Sequence, residues 1–160
     1  MALSPSKQWL ARALKSIFIG GLIAGILDLI AAFVSAWLRS GTTPRRVTLF
    51  IASGALGPAA FTGGNRTVAL GVAFHFLIAT GAAAVFYLAS RKLPFLIEWP
   101  VVMGLMYGIL VYLFMNFVVL PRSFIRPAAA APLSARIIGA LIIMFCVGLP
   151  IALVVRRYSK

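Results

Sequence analysis

The stretch "GGLIAGILDLIAAFVSAW", Gly20 to Trp37, constrains this chain more than any other part of it. It carries a single charge, the carboxylate of Asp28, in an otherwise almost wholly apolar run. The run around it, Ile17 to Leu38, is long enough to cross a bilayer, because about 20 apolar residues rising ~1.5 Å each cover the ~30 Å hydrocarbon core. It exceeds the roughly 7–15-residue apolar region of a cleaved signal peptide, so a retained anchor is expected.

Composition extends this reading to the whole chain. Of 160 residues, 62% are hydrophobic without counting glycine. Soluble domains reach only about 45–50% with glycine included. A small soluble domain buries roughly two-thirds of its surface, too little to hide the excess, so lipid must be the solvent for much of it. The mean hydropathy of +1.06 agrees.

The expected fold is an all-α membrane protein, a single integral domain over 1–160. Four transmembrane helices are expected at about 15–38, 67–90, 99–120 and 135–155. Residues 1–14 read as an interfacial lead-in, capped by Ser4-Pro5-Ser6 and with Trp9 at the headgroups. The apolar segment 47–62 is too short to span. It holds Gly54, Gly57 and Pro58 between arginines, and reads either as an interfacial, shallowly inserted helix or as a re-entrant segment. Pro150 is expected to bend the end of the last helix.

Fifteen Lys and Arg against two acids give a net charge of +13. The bases sit at the edges of apolar runs: Lys7, Arg12 and Lys15; Arg39, Arg45 and Arg46; Arg91 and Lys92; Arg156, Arg157 and Lys160. That clustering points to a bilayer with anionic headgroups as partner and away from nucleic acid. Four spans put Lys7, Arg12, Lys15, Arg91, Lys92, Arg156, Arg157 and Lys160 on the N-terminal side. Arg39, Arg45, Arg46, Arg66, Arg122, Arg126 and Arg136 fall on the other. The balance leans to both termini in the cytoplasm.

Asp28 is the first candidate for chemistry. Its helical neighbours Gly21, Gly25, Ala32 and Ser35 are all small, and Gly21-x-x-x-Gly25 allows close helix approach, so the carboxylate is expected to face protein. A mid-membrane Asp costs about 2.5–3.5 kcal/mol and needs a partner or a proton. His75, the only histidine, shares a face with Gly71, Ala79 and Ala82. It lies at a depth within about 3 Å of Asp28 on antiparallel helices. A pairing of the two, direct or through one water, is expected. Cys146 falls at a similar depth, and Asn116 sits on the face with Gly108 and Tyr112. These polar residues act either as interhelical glue or in proton or ion movement. Gly104 and Gly108 form a second packing face.

No P-loop, G-x-S-x-G or H-E-x-x-H occurs, and one His with one Cys falls short of a zinc or haem site, so no catalytic residue, metal or cofactor is expected. The lone cysteine excludes an intrachain disulfide. The functional expectation is a non-enzymatic multi-pass protein that packs against itself or serves as an accessory subunit of a larger membrane complex. The alternative is a small transporter or proton- or ion-conducting protein using Asp28 and His75.

Several short elements follow a recognisable order: "GLIAG" at Gly21 to Gly25, Pro44-Arg45-Arg46 after the first helix, His75 near the opening of a later one, and Arg156-Arg157 at the end. In this the chain resembles the YagU-like small multi-span bacterial inner-membrane proteins. The resemblance implies a bacterial cytoplasmic membrane and no catalytic residue.

Overall fold

The computed structural model describes residues 5–125 and 132–159, which are helical and contain no strand. Ser4, Arg126, Lys160 and the middle of the proline- and alanine-rich loop, 126–131, lie outside them. The helices are α1 (Pro5–Ser40), α2 (Pro44–Leu56), α3 (Gly64–Lys92), the short α4 (Phe95–Glu98), α5 (Pro100–Arg122) and α6 (Leu133–Ser159). Four of them, α1, α3, α5 and α6, are long and apolar enough to cross a membrane. Leu38, Leu77, Phe117 and Phe145 stand exposed on them, which suits contact with lipid. The chain is a four-span membrane protein with a short helix between its first and second spans.

The lead-in expected over residues 1–14 is not a separate element. From Pro5 it forms the first turns of α1, because no glycine or proline interrupts the chain until Gly20. The segment 47–62 divides instead. Thr43 caps α2, its hydroxyl accepting from the Arg46 amide at 3.4 Å, and Pro44 opens the helix. Gly57, at φ +64°, ends it in a conformation that favours glycine, and a 3-10 stretch, Gly57–Thr62, follows.

The buried face of α2, Thr48, Leu49, Ala52 and Ser53, packs on α3. The contact is close because Gly71 has no side chain. A Cβ there would run into the Thr48 carbonyl oxygen. The chain after α5 is tied to the same helix, the Phe124 amide donating to Gly54 O at 3.0 Å.

Two glycine seams hold the spans. In the first, a Cβ on Gly21 would stand 2.6 Å from Thr80 Cα, and one on Gly25 2.7 Å from the Phe76 ring, joining α1 to α3. In the second, Gly104 and Gly108 of α5 meet Gly148 of α6 almost backbone to backbone. A Cβ on Gly108 would lie 2.5 Å from Met144 Cα. The core sits where α1 begins and α3 and α6 end, around Phe86, Tyr87, Ile151, Ala152 and Val155.

Pro150 does more than bend α6. It is preceded by a π-helical turn, Met144–Gly148, and α5 repeats the arrangement with Met115–Val119 before Pro121. In both helices the π turn is followed by Leu-Pro. A helical proline removes its own N–H and crowds the carbonyl four residues back, and widening the preceding turn relieves that crowding.

Candidate functional site

The end of the bundle opposite the core holds a cavity. A cavity of about 790 Å³ lies between the second half of α1, the start of α2 with Phe61, and the first half of α6. One stripe of α1 lines it: Asp28, Ala32, Ser35, Ala36 and Arg39, spaced by three and four residues as one helix face requires. Ala135, Gly139, Ile142 and Ile143 of α6 form the facing wall, and Val47 and Phe50 of α2 the third.

The charges are unevenly placed. Asp28 is the only acid in the lining, while Arg39 and Arg46 sit toward the end of α1. The eleven positions from Asp28 to Arg39 correspond to about 16 Å of helix. The cavity is therefore elongated, cationic toward one end, with apolar walls and a carboxylate toward the other. Arg39 is steadied on its own helix, its Nε donating to Ser35 O at 3.2 Å. Beside it Arg45 donates to Asn65 Oδ1 at 2.6 Å, joining the starts of α2 and α3. Ser40 and Thr42 hydroxyls share a 2.7 Å bond that closes the α1–α2 turn.

The polar residues singled out in the sequence come together in part. His75 points at α1, but its Nε2–H donates to the carbonyl oxygen of Gly25 at 2.8 Å, and its ring stands edge-on to Phe76. Among the described residues no hydrogen bond or ion pair links it to Asp28; the two are close enough only to feel each other's charge. The glycine at position 25 explains this. With no side chain there, the histidine reaches the backbone, an acceptor one turn before the carboxylate.

Cys146 lies in the π turn of α6, within electrostatic range of Asp28 but outside the cavity lining. Asn116 stays on its own helix, donating through Nδ2 to Tyr112 O at 2.8 Å, where the π turn of α5 disturbs the backbone ladder. Gly21 and Gly25 serve the α1–α3 seam, Gly104 and Gly108 the α5–α6 seam. Among the described residues no group of three or more His, Cys, Asp or Glu is placed to hold a metal ion.

Three features were not singled out in the sequence. Arg39 and Arg46 read there as headgroup anchors, although Arg39 continues the Asp28 stripe at helical spacing. Gly148 was overlooked, and its position before Leu-Pro in an apolar run was its only signal. Tyr107 joins α5 to α3, its hydroxyl donating to Ala82 O at 2.7 Å with its ring against Phe86.

No family model, curated protein or solved structure matches this chain.

Proposed function

We infer that this protein is a small, non-enzymatic membrane carrier that moves an organic anion together with a proton, with Asp28 as the proton site. The observation that carries the reading is that Asp28 lines one end of a cavity whose other end holds Arg39 and Arg46. Such a cationic end attracts anions, and the apolar walls suit a partly hydrophobic body. An ionised Asp28 repels an anion at that end by about 1 kcal/mol, taking ~16 Å and an effective dielectric of ~20. Protonation removes that repulsion. Proton and anion therefore tighten each other's binding about fivefold, and more as the anion moves toward Asp28. The packed core at the opposite end supports the reading, because a one-sided binding state needs one closed end.

Proteoliposomes loaded with a pH-sensitive dye test this reading. Aliphatic and aromatic sulfonates, which do not cross lipid unaided, serve as probes. An inward sulfonate gradient is expected to acidify the lumen, and Asp28→Asn to abolish the signal with the fold intact. Rates equal to those of empty vesicles, from about pH 5 to 8, overturn the reading.

A second reading, association with another copy or with a larger membrane complex, is favoured by one observation. An apolar groove of about 620 Å³ runs between α3 and α5, lined by Ile78, Gly81, Val85, Leu110 and Phe114. Against it, the two glycine seams are already occupied within one chain. Native mass spectrometry from mild detergent separates the two readings. A strictly monomeric species with no co-purifying partner leaves the carrier alone. The YagU-like resemblance and the basic leading flank of α1 support a bacterial cytoplasmic membrane with both termini inside.

A further inference from the structure

At the core end of the bundle three helices converge on a second, smaller cavity of about 170 Å³. Trp9 and Arg12 enter it from α1, Tyr87 and Arg91 from α3, and Tyr158 and Ser159 from α6. No carboxylate lines it. Two guanidinium groups from different helices thus border one space whose lining, among the described residues, holds no carboxylate. A hydroxyl beside them is unspent. Ser159 Oγ is buried without a hydrogen-bond partner. Tyr87, only 1% exposed, is among the lining residues.

Guanidinium forks together with hydroxyl donors match the oxygens of a phosphate ester. Arginine prefers this partner because its planar donors engage two oxygens at once. The volume equals about five or six waters at ~30 Å³ each, which admits a phosphate and part of its alcohol but no acyl chain. Trp9 and Tyr158 supply amphipathic rings of the type found at headgroup level. A ligand whose phosphate sits here and whose apolar remainder continues along the exposed outer faces of the spans is a lipid.

We propose that the cavity bounded by Arg12, Arg91, Tyr87 and Ser159 is a specific site for the phosphate of an anionic phospholipid. It differs from the general attraction of basic flanks to anionic membranes, because it holds one headgroup between three helices. By bridging α1, α3 and α6 it ties together the end that the carrier reading requires to stay shut, but the site itself does not depend on that reading.

Native mass spectrometry of the full chain, with phosphatidylglycerol and phosphatidylcholine added in equal amounts, tests the proposal. The wild type is expected to retain one phosphatidylglycerol in preference to phosphatidylcholine. Arg12→Gln with Arg91→Gln is expected to weaken that binding about thirtyfold, roughly fivefold per arginine. Lys92→Gln with Arg157→Gln removes the same charge from the same end outside the cavity, and is expected to leave the tight lipid in place. Inorganic phosphate, added at millimolar concentration to lipid-free protein, distinguishes the other source. Equal retention of both lipids by the wild type overturns the proposal. So does equal loss in both double variants, or binding of free phosphate without preference for the anionic lipid.

Discussion

His75 spends its Nε2–H on the backbone of α1, at Gly25 O and 2.8 Å, one turn short of the carboxylate of Asp28. The histidine is thus a strut between α1 and α3, and Asp28 is left to the cavity. The division of labour sets the energetic expectation for both residues.

The two side chains should behave as nearly independent. In Asp28→Leu the histidine keeps its bond to Gly25, so the stability effects of Asp28→Leu and His75→Leu should add to within about 0.5 kcal/mol in a double-mutant cycle. Reversible unfolding in detergent or bicelles measures this. A coupling above about 1.5 kcal/mol would mean that the pair is joined directly or through water.

His75→Leu alone removes one interhelical hydrogen bond and should cost about 0.6–1.7 kcal/mol, the range for such bonds in membranes. Asp28→Leu should instead be neutral or stabilising, since it removes a carboxylate that costs about 2.5–3.5 kcal/mol at mid-membrane. A residue that lowers stability yet sits on a cavity is placed as functional residues commonly are.

The glycines should rank by what their missing methyl would strike. Gly108→Ala meets the Met144 backbone at 2.5 Å and cannot be relieved by a side-chain turn. It should be the most damaging of the three tested, by about 1–3 kcal/mol. In Gly25→Ala the obstacle is the Phe76 ring at 2.7 Å, which can rotate, so the cost should be smaller than for Gly108→Ala, at most adding the loss of the His75 bond to Gly25 O. Gly81→Ala meets nothing within 4 Å and should be neutral or slightly stabilising. The same unfolding assay gives the order.

Topology is tested by reporter fusions at the C-terminus and directly after Arg39. Four spans place them in opposite compartments. Identical reports would mean an even number of crossings between the two sites, so that one of α3, α5 and α6 does not span or α2 does.

Much of this architecture was legible in the sequence, because lipid imposes a length and a hydropathy on every span. The small-residue stripe around Asp28 correctly pointed inward, yet it serves two purposes. Gly21 and Gly25 pack on α3, while Ala32 and Ser35 line the cavity. Nothing local separates those halves; the difference arises from where α2 and α6 come to rest. His75 was legible as inward-facing but its partner was not, since a backbone carbonyl carries no mark in a sequence. The π turns before Leu149-Pro150 and Leu120-Pro121 were half legible: proline announces an irregularity but not its form. The place of Arg39 on the cavity was not legible for a physical reason. At the end of a span, an arginine that anchors to headgroups and one that guards a cavity occupy the same sequence position.

The most direct test of the central claim, that the Asp28 cavity is reached from the end that bears Arg39, is one-sided chemical access. Asp28→Cys in a Cys146→Ala background is exposed to a membrane-impermeant methanethiosulfonate in oriented vesicles. Modification should occur from the side bearing Arg39 and Arg46 and not from the side bearing Arg12 and Arg91. No modification from either side, or equal modification from both, contradicts the account.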